Sequence, residues 1–567
     1  MRSQFNAIIF SILLLSTLGA CKKNFLDRAA TTQQQDADIF TNFATTDMVV
    51  NNLYSRIRGA YVYCGGYSMS SATDEAKDAS SWMASQNFNN GSWSGSLNPI
   101  GNTWRDSYVA IRQANTILTN IVKYKTPDDA NNPGFLENRV GEVYFLRAWY
   151  LSELIRQFGG AIIVTDIIDQ DDKVALNKPR NKYDECVAQI LSDCEEAYKR
   201  VQFAYPANQV GRVTKGACLA LKSRVLLYAA SPLWAIAGKN GFQADITSGA
   251  AATDPEKWRK AADAAKAVID LKDGSNAIVY QLEPTLADRQ KMFTSTTLQS
   301  REVIFERMRE TNQDYDKYMF PYGSNGWSGC APTQNIVDDY EMKNGLPITD
   351  PASGYDAARP YINRDPRFYK DITYNGATFK NRKIETFTGG KDEQSTATDH
   401  TRTGYYCRKL VDESITANQG SSTRLVHGVI FRLSEFYLSY AEALNEYDPG
   451  NADILTYVNF IRQRAGQPVI PAGLNQQQMR QRIRNERRIE LAFENHRFWD
   501  VRRWKIAENT EKSMYGMKAI VDAAAPDGFR YERFKVEDRL WRNAMYVIPL
   551  PVDETLRNVN MVQNAGW

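Results

Sequence analysis

Histidine is almost missing from this sequence. His400, His427 and His496 are the three present, too few for a histidine-rich metal site. Seven cysteines include no C-x-x-C pair, which removes the usual zinc and dithiol redox motifs. Excess charge of one sign is missing too. Lys+Arg 69 against Asp+Glu 66 leaves a net +3, so no global field draws the chain to nucleic acid. Long apolar runs are lacking, and 24% charged residues with 43% hydrophobic ones exclude both a polytopic membrane protein and a disordered chain. The 567 residues make about three or four domain-sized units. Aromatic residues are plentiful at 11%, with Trp 11 and Tyr 30, so their placement carries information.

The N-terminus assigns a compartment. Arg2 precedes an apolar stretch whose core runs from Ala7 to Leu15, the length of a signal-peptide core and too short to cross a bilayer. Leu18-Gly19-Ala20-Cys21 follows and resembles the bacterial lipobox, in which small residues admit the peptidase and the thiol accepts lipid. Residues 1–20 therefore read as a signal peptide and Cys21 as the acylated residue, since two or more acyl chains hold a protein stably on a membrane. Residues 21–40 are polar and aperiodic and read as a tether. The other cysteines, Cys64, Cys186, Cys194, Cys218, Cys330 and Cys407, read as isolated buried thiols with room for one disulfide.

The body reads as mainly α. Glu142–Phe158 and Arg212–Ala230 repeat apolar residues at helical spacing and stop at Gly159-Gly160 and Ser231-Pro232. Thr253-Asp254-Pro255-Glu256 starts a helix with Trp258, Ala261, Ala265 and Val268 on one face. Leu433–Glu446 and Ala452–Ala465 form a pair around Asp448-Pro449-Gly450, and a third helix is expected from about Gln476 to Trp504. These pairs resemble tetratricopeptide repeats, without a clean period of about 34 residues. Between residues 273 and 430, Gly, Asn, Thr, Tyr and Pro dominate and Val303–Glu306 looks like a short strand.

Glu486, Glu490 and Glu494 recur every four residues and suggest a carboxylate stripe on one helix face, near Arg487, Arg488, Arg497 and His496. A pair of carboxylates is what glycoside hydrolysis needs. Arginines beside each carboxylate keep it ionised, which defeats a proton donor at neutral pH, so the stripe reads as an ion-pair network. Sugar binding needs other tools, flat aromatic faces for C–H surfaces and amides for hydroxyls. Two segments outside any helical period supply that mixture. Ser81–Trp93 (SWMASQNFNNGSW) offers Trp82, Trp93 and Asn90, and Tyr315–Trp327 (YDKYMFPYGSNGW) offers Tyr322, Asn325 and Trp327. These rings are expected to converge on one exposed surface. Trp104, Trp149, Trp258, Trp499 and Trp504 read as core.

Several stretches resemble the SusD/RagB family. They include Phe431–Glu446 (FRLSEFYLSYAEALNE), Val458–Gly466 (VNFIRQRAG), Asn485–Trp504 (NERRIELAFENHRFWDVRRW) and Tyr546–Pro551 with Asn560, Gln563 and Asn564. Gly211–Gly216 (GRVTKG), Pro332–Gln334, Tyr340–Met342 and Arg364–Phe368 (RDPRF) add to the resemblance, which spans the mature chain in order. The resemblance implies a SusD-like fold with degenerate tetratricopeptide-like helix pairs and a loop-rich insertion with short β-strands. It divides the chain into an N-terminal helical half at 41–272, a loop-rich ligand side at 273–430 and a helical signature region at 431–567. It implies a surface-exposed outer-membrane lipoprotein, not an enzyme, that captures oligo- or polysaccharide. Its partner is a SusC-like TonB-dependent transporter, over which it acts as a lid. No cofactor, no metal site among the residues singled out and no nucleic-acid partner are expected, the last two from the three histidines and the small net charge. The other readings are a peptide-capturing RagB-like subunit, a lipid-anchored glycoside hydrolase and a helical-repeat adaptor.

Overall fold

A succession of long helices carries the architecture. The structure is a computed structural model that describes residues 35–58, 68–247, 252–295, 300–311, 314–415 and 424–567. Helix α1 (Thr103–Lys123) starts where the Asn102 side chain accepts the Arg105 amide, and it buries Trp104, Ala110, Ile111 and Ala114. Helix α2 (Phe135–Phe158) is buried almost all round over its second half and ends at Gly159, whose φ of 85° suits glycine. Helices α3 (Tyr183–Arg200) and α4 (Lys215–Ala230) follow, the latter capped by Thr214. In α5 (Pro255–Ile269), Asp254 caps the first turn and Pro255 occupies the position where a missing N–H costs nothing. The C-terminal helices are α6 (Leu433–Tyr447), α7 (Asp453–Arg464) and α8 (Gln476–Glu490).

Each helix packs on the next. α1 lies on α2, α2 on α3, α3 on α4, α4 on α5 and α5 on α6, and α6 receives both α7 and α8. Buried alanines such as Ala261 and Ala265 on α5 and Ala441 and Ala443 on α6 let these backbones approach closely. The mainly-α expectation holds, and the buried residues form a cluster drawing on every part of the chain. Trp104, Trp149, Trp258, Trp499 and Trp504 are in it or buried beside it, as their spacing predicts.

The strands pair in twos. β1 (Ala76–Lys77) pairs β3 (Ala331–Pro332), β2 (Val303–Thr311) pairs β8 (Arg424–Arg432), β4 (Ile372–Thr373) pairs β7 (Tyr406–Cys407), and β5 (Thr378–Phe379) pairs β6 (Arg382–Lys383). Cys186, Cys194, Cys218, Cys330 and Cys407 are free and buried, while Cys64 lies outside the described residues.

Two expectations need correction. The helix expected from Gln476 to Trp504 is two helices, because α8 stops at Glu490 and another spans Arg497–Arg503. Phe493 and Asn495 between them adopt left-handed φ of 64°, which no helix continues through. The region from 431 onward is also not all helical. Strands β9 (Ser513–Val521) and β10 (Phe529–Asp538) pair antiparallel there as a long hairpin. Alternation in FRYERFKVED over β10 is the period-2 signal for that strand.

Candidate ligand-binding surface

The short β1–β3 ladder is what brings the two aromatic segments together. Its register, Ala76 opposite Pro332 and Lys77 opposite Ala331, sets the residues just after β1 beside those just before β3. The Thr333 hydroxyl extends the pairing by donating to the Asp74 carbonyl at 2.6 Å. Beyond the ladder, the Tyr318 hydroxyl donates to Asp78 Oδ2 at 2.9 Å while the Ser80 amide donates to Oδ1 at 2.9 Å. A side chain at Gly329 would collide with the Tyr318 ring, so glycine is required where the chain passes that ring.

A third segment, which carries no signal in the sequence, completes the surface. Arg402 donates to the Ala79 carbonyl from Nε at 3.0 Å and Nη2 at 2.7 Å, and to the Ser395 carbonyl from Nη1 at 3.1 Å. The Ser328 hydroxyl donates to the Asp399 carbonyl at 2.6 Å. His400 lies 4.0 Å from the Tyr322 ring, centre to centre, with 34° between their planes. The loop from Ser395 to Arg402 thus binds the segment holding Trp82 and the segment holding Tyr322 and Trp327. Its local sequence, mostly small and polar residues, does not announce that role.

The expected contact residues separate into groups. Trp82 is 74% exposed, just ahead of the helix Ser85–Asn90. Tyr322 is 42% exposed on its histidine partner. Trp327 is half-buried, with its amide donating to the Lys317 carbonyl at 2.6 Å and the Lys317 ammonium 5.7 Å from its ring centre. Asn325 is exposed in a left-handed turn, and Asn90 is exposed with its side-chain oxygen accepting the Ser92 amide. Trp93 does not join them. It is 2% exposed and packs edge-on against Phe88 at 4.9 Å and against Trp567 at 4.6 Å. The C-terminal tryptophan, distant in sequence, gives Trp93 an apolar partner, and that contact overrides its loop-like surroundings. Cys21 lies outside the described residues.

The surface is underlain by carboxylates that are not simply ionised. Burial pushes the Asp78 carboxyl up to about 7, against the Ser80 amide and the Tyr318 hydroxyl. Burial likewise raises Glu75 to about 7. Asp74 goes the other way. Although burial opposes its charge, Arg488 and Arg497 hold it down at about 2.

The carboxylate stripe is a buried ion-pair network, with partners other than the neighbouring arginines expected. Glu490 meets Arg432 at 2.8 Å, Arg464, Arg367 at 3.5 Å and Arg289 at 3.8 Å. Glu494, in the turn after α8, accepts from Arg432 at 2.7 Å and Lys409 at 2.6 Å. Glu486 accepts from Arg367 at 2.5 Å and Arg462 at 3.0 Å. Arg487 turns instead to Asp500, Arg488 to Asp74 and Asp339, and Arg497 to Asp74. Burial opposes ionisation of Glu490, and the four arginines overcome it, holding the carboxyl well below the usual range. Burial, then Arg224 and Arg487, keep His496 neutral. Burial opposes the charge on Glu486 and Glu494 as well, and their cations hold both below the usual range, so none of the three glutamates of the stripe has the raised pKa of a general acid.

Comparison with known proteins follows the same architecture. Residues 300–567 match the SusD family, and residues 24–227 match a family described as "Starch-binding associating with outer membrane". SusD-like protein P2 of Formosa agariphila is 25% identical over 488 residues, covering 81% of this chain and 79% of that protein. A SusD-like protein of Bacteroides fragilis superposes with a TM-score of 0.76 at 27% identity, covering 94% of this chain and 99% of the other. A SusD-like carbohydrate binding protein of the same species has the same fold, with a TM-score of 0.73 at 23% identity over 92% of this chain and 99% of the other.

Proposed function

The chain belongs to the SusD/RagB family, and from that premise we propose that it captures oligo- or polysaccharide on the face bearing Trp82, Tyr322 and Trp327. The protein is held at the cell surface by lipid on Cys21 and hands its ligand, unhydrolysed, to a SusC-like TonB-dependent transporter in the outer membrane. The observation that carries this reading is the solvent-facing pair of aromatic platforms, Trp82 and the tilted Tyr322–His400 ring pair, bound to one frame by Arg402. An indole that is 74% exposed packs little of its ring against the protein, and flat rings beside amides and cations match the C–H faces and hydroxyl rims of pyranoses. The ion pairing of Glu486, Glu490 and Glu494 supports binding without hydrolysis, since each is committed to guanidinium or ammonium partners.

Calorimetry against a panel of starch, laminarin, pectic and host-type glycans, with a peptide mixture as a separate arm, tests the proposal. One glycan class is expected to bind, and Trp82→Ala and Tyr322→Ala each weaken it by about 1–3 kcal/mol. Undiminished affinity in both variants, or binding confined to peptides, refutes it.

A further inference from the structure

Two buried cysteines meet beneath the candidate ligand surface. Cys330 immediately precedes β3, Cys407 ends β7, and these two strands lie side by side. Each strand is held by a ladder of its own, β3 by β1 and β7 by β4, so both backbones are fixed. The Cys330 thiol and the Cys407 sulfur are hydrogen-bond partners, and both residues are buried. Cys186, by contrast, is turned to the Ala161 carbonyl, 3.4 Å away.

The pair sits at the joint between two of the three segments that build the surface. Ser328, two residues before Cys330, donates its hydroxyl to the Asp399 carbonyl at 2.6 Å. On the other side the loop holding His400 and Arg402 runs directly into β7. There the Thr401 hydroxyl donates to the Tyr405 carbonyl at 2.8 Å, and the Tyr406 hydroxyl to the Asp392 carbonyl at 2.9 Å. The Cys407 sulfur, then burial, hold the Cys330 proton well above the usual thiol range. A buried, protonated thiol serves poorly as a nucleophile or a metal ligand. What adjacent thiols do in an oxidising compartment is pair, and the signal peptide and lipobox expected at the N-terminus would deliver the chain to one.

We propose that Cys330 and Cys407 form a disulfide that fastens the Ser395–Arg402 loop to the Tyr315–Trp327 segment. The bond rests on the export part of the reading above and deepens it, since the ligand surface is then set covalently before it meets a sugar. The oxidant is a disulfide of the receiving compartment, carried by a protein or by glutathione. While the chain folds, one cysteine thiolate attacks that disulfide, giving a mixed disulfide and releasing one thiol. The other cysteine then displaces the second. Two S–H bonds and the oxidant's S–S bond break, and one S–S bond forms in the protein. The oxidant leaves as two thiols, having taken up the two protons and two electrons. Once the core closes over it, the bond is out of reach of reductant.

Peptide mapping of the full mature chain tests it, with Cys21→Ala and a substituted leader that exports it to a bacterial periplasm. The protein is unfolded in urea with iodoacetamide and no reductant, then cut with trypsin. Fragments 318–343 and 403–408 are expected as one linked species that separates in dithiothreitol, in about tenfold excess over their alkylated forms. In a variant carrying Cys330→Ala and Cys407→Ala, with folding checked by a circular-dichroism melt, backbone hydrogen exchange across Ser395–Arg402 quickens about threefold or more. The proposal is overturned if both cysteines are alkylated in the unreduced sample, or if either is linked to another cysteine such as Cys64. It is overturned too if the double variant leaves exchange across Ser395–Arg402 unchanged. The substituted leader imposes export, so the mapping reads the thiol pair and not the native signal. Failure of sugar capture registers separately, as unchanged glycan affinity when Trp82 and Tyr322 are replaced.

Discussion

Asp78 and Tyr318, 240 positions apart in the chain, share a 2.9 Å hydrogen bond beneath the candidate ligand surface. The bond joins the frame of Trp82 to the frame of Trp327, and its carboxyl is raised to about 7 by burial. A pH dependence follows from the sign of that shift. The unfolded group ionises near its ordinary 3.8 and the folded one near 7, so the folded state holds the proton more tightly. Its contribution to stability is whole below about pH 4 and is lost as pH rises through 7. Glu75, also raised to about 7, adds to the same limb, whereas Asp74 and Glu442, held at about 2 against burial by their arginines, are lost only in strong acid. Stability is expected to peak in mildly acid solution. Asp78 alone removes about 1 kcal/mol between about pH 6 and pH 8. Urea melts at those two pH values check it: Asp78→Asn flattens the decline, and an equally steep decline in that variant contradicts the assignment.

Glu490 is the centre of the buried network, with four arginines around a side chain that no solvent reaches. Glu490→Gln removes one negative charge from among four buried arginines, leaving Arg432 to share Glu302 and Glu494 and Arg464 to share Glu302, so the site holds an uncompensated buried positive charge. The expected loss is about 3–5 kcal/mol of folding stability. Affinity of the folded fraction for its glycan stays unchanged, because the network lies under α8 and not on the aromatic surface. Denaturant unfolding paired with calorimetry separates the two quantities, and a folded Glu490→Gln protein with lost hydrolytic activity would reverse the non-catalytic reading.

The helices were legible because their information is local. Asp254-Pro255 marks a start, Gly159 marks an end, and the apolar spacing between such signals needs no knowledge of the fold. The carboxylate stripe was legible as an ion-pair network and illegible in its wiring. Arg432, Arg464, Arg367 and Lys409 come from other elements, and proximity in sequence pointed to Arg487, Arg488 and Arg497 instead. Trp82 and Trp93 show the limit most plainly. They sit in one segment of similar composition, yet Trp93 is buried against Phe88 and the distant Trp567 while Trp82 stays exposed. Arg402 and His400 had no signal at all, since their role exists only after three distant segments meet.

That difference between the two tryptophans gives opposite expectations for the same substitution. Trp82→Ala leaves thermal stability within about 0.5 kcal/mol of the parent, as exposed side chains do. Trp93→Ala opens a cavity between Phe88 and Trp567 and costs about 3–5 kcal/mol. Melting curves on the two variants decide it, and a Trp93→Ala protein that melts like its parent would contradict the burial.

Cys21 is tested by location rather than by folding. If its thiol carries lipid, Cys21→Ala leaves the protein unprocessed or released into the soluble fraction, since acyl chains supply the attachment at about 0.8 kcal/mol per buried CH₂. Carbonate-washed outer membranes probed for the variant give the answer. Retention there at the parent level excludes the lipid anchor.

Arg402 is the residue whose loss should disturb the ligand surface without touching ligand. Its guanidinium holds the Ala79 and Ser395 carbonyls, and through the same loop it fixes His400 beneath Tyr322. Arg402→Ala removes three charge-assisted hydrogen bonds from a half-buried position, and water replaces part of them, so the cost in folding is about 1–3 kcal/mol. The rings then must be ordered by the ligand itself, and that ordering lowers affinity. Hydrogen exchange should quicken in the backbone around Ala79 and around Ser395–His400 while the helices α1 to α8 keep their protection. Arg402→Lys retains the charge but not the forked geometry, and should recover little of the affinity. Unchanged exchange at Ala79 in the alanine variant, or full recovery by lysine, would show that Arg402 does not organise the surface.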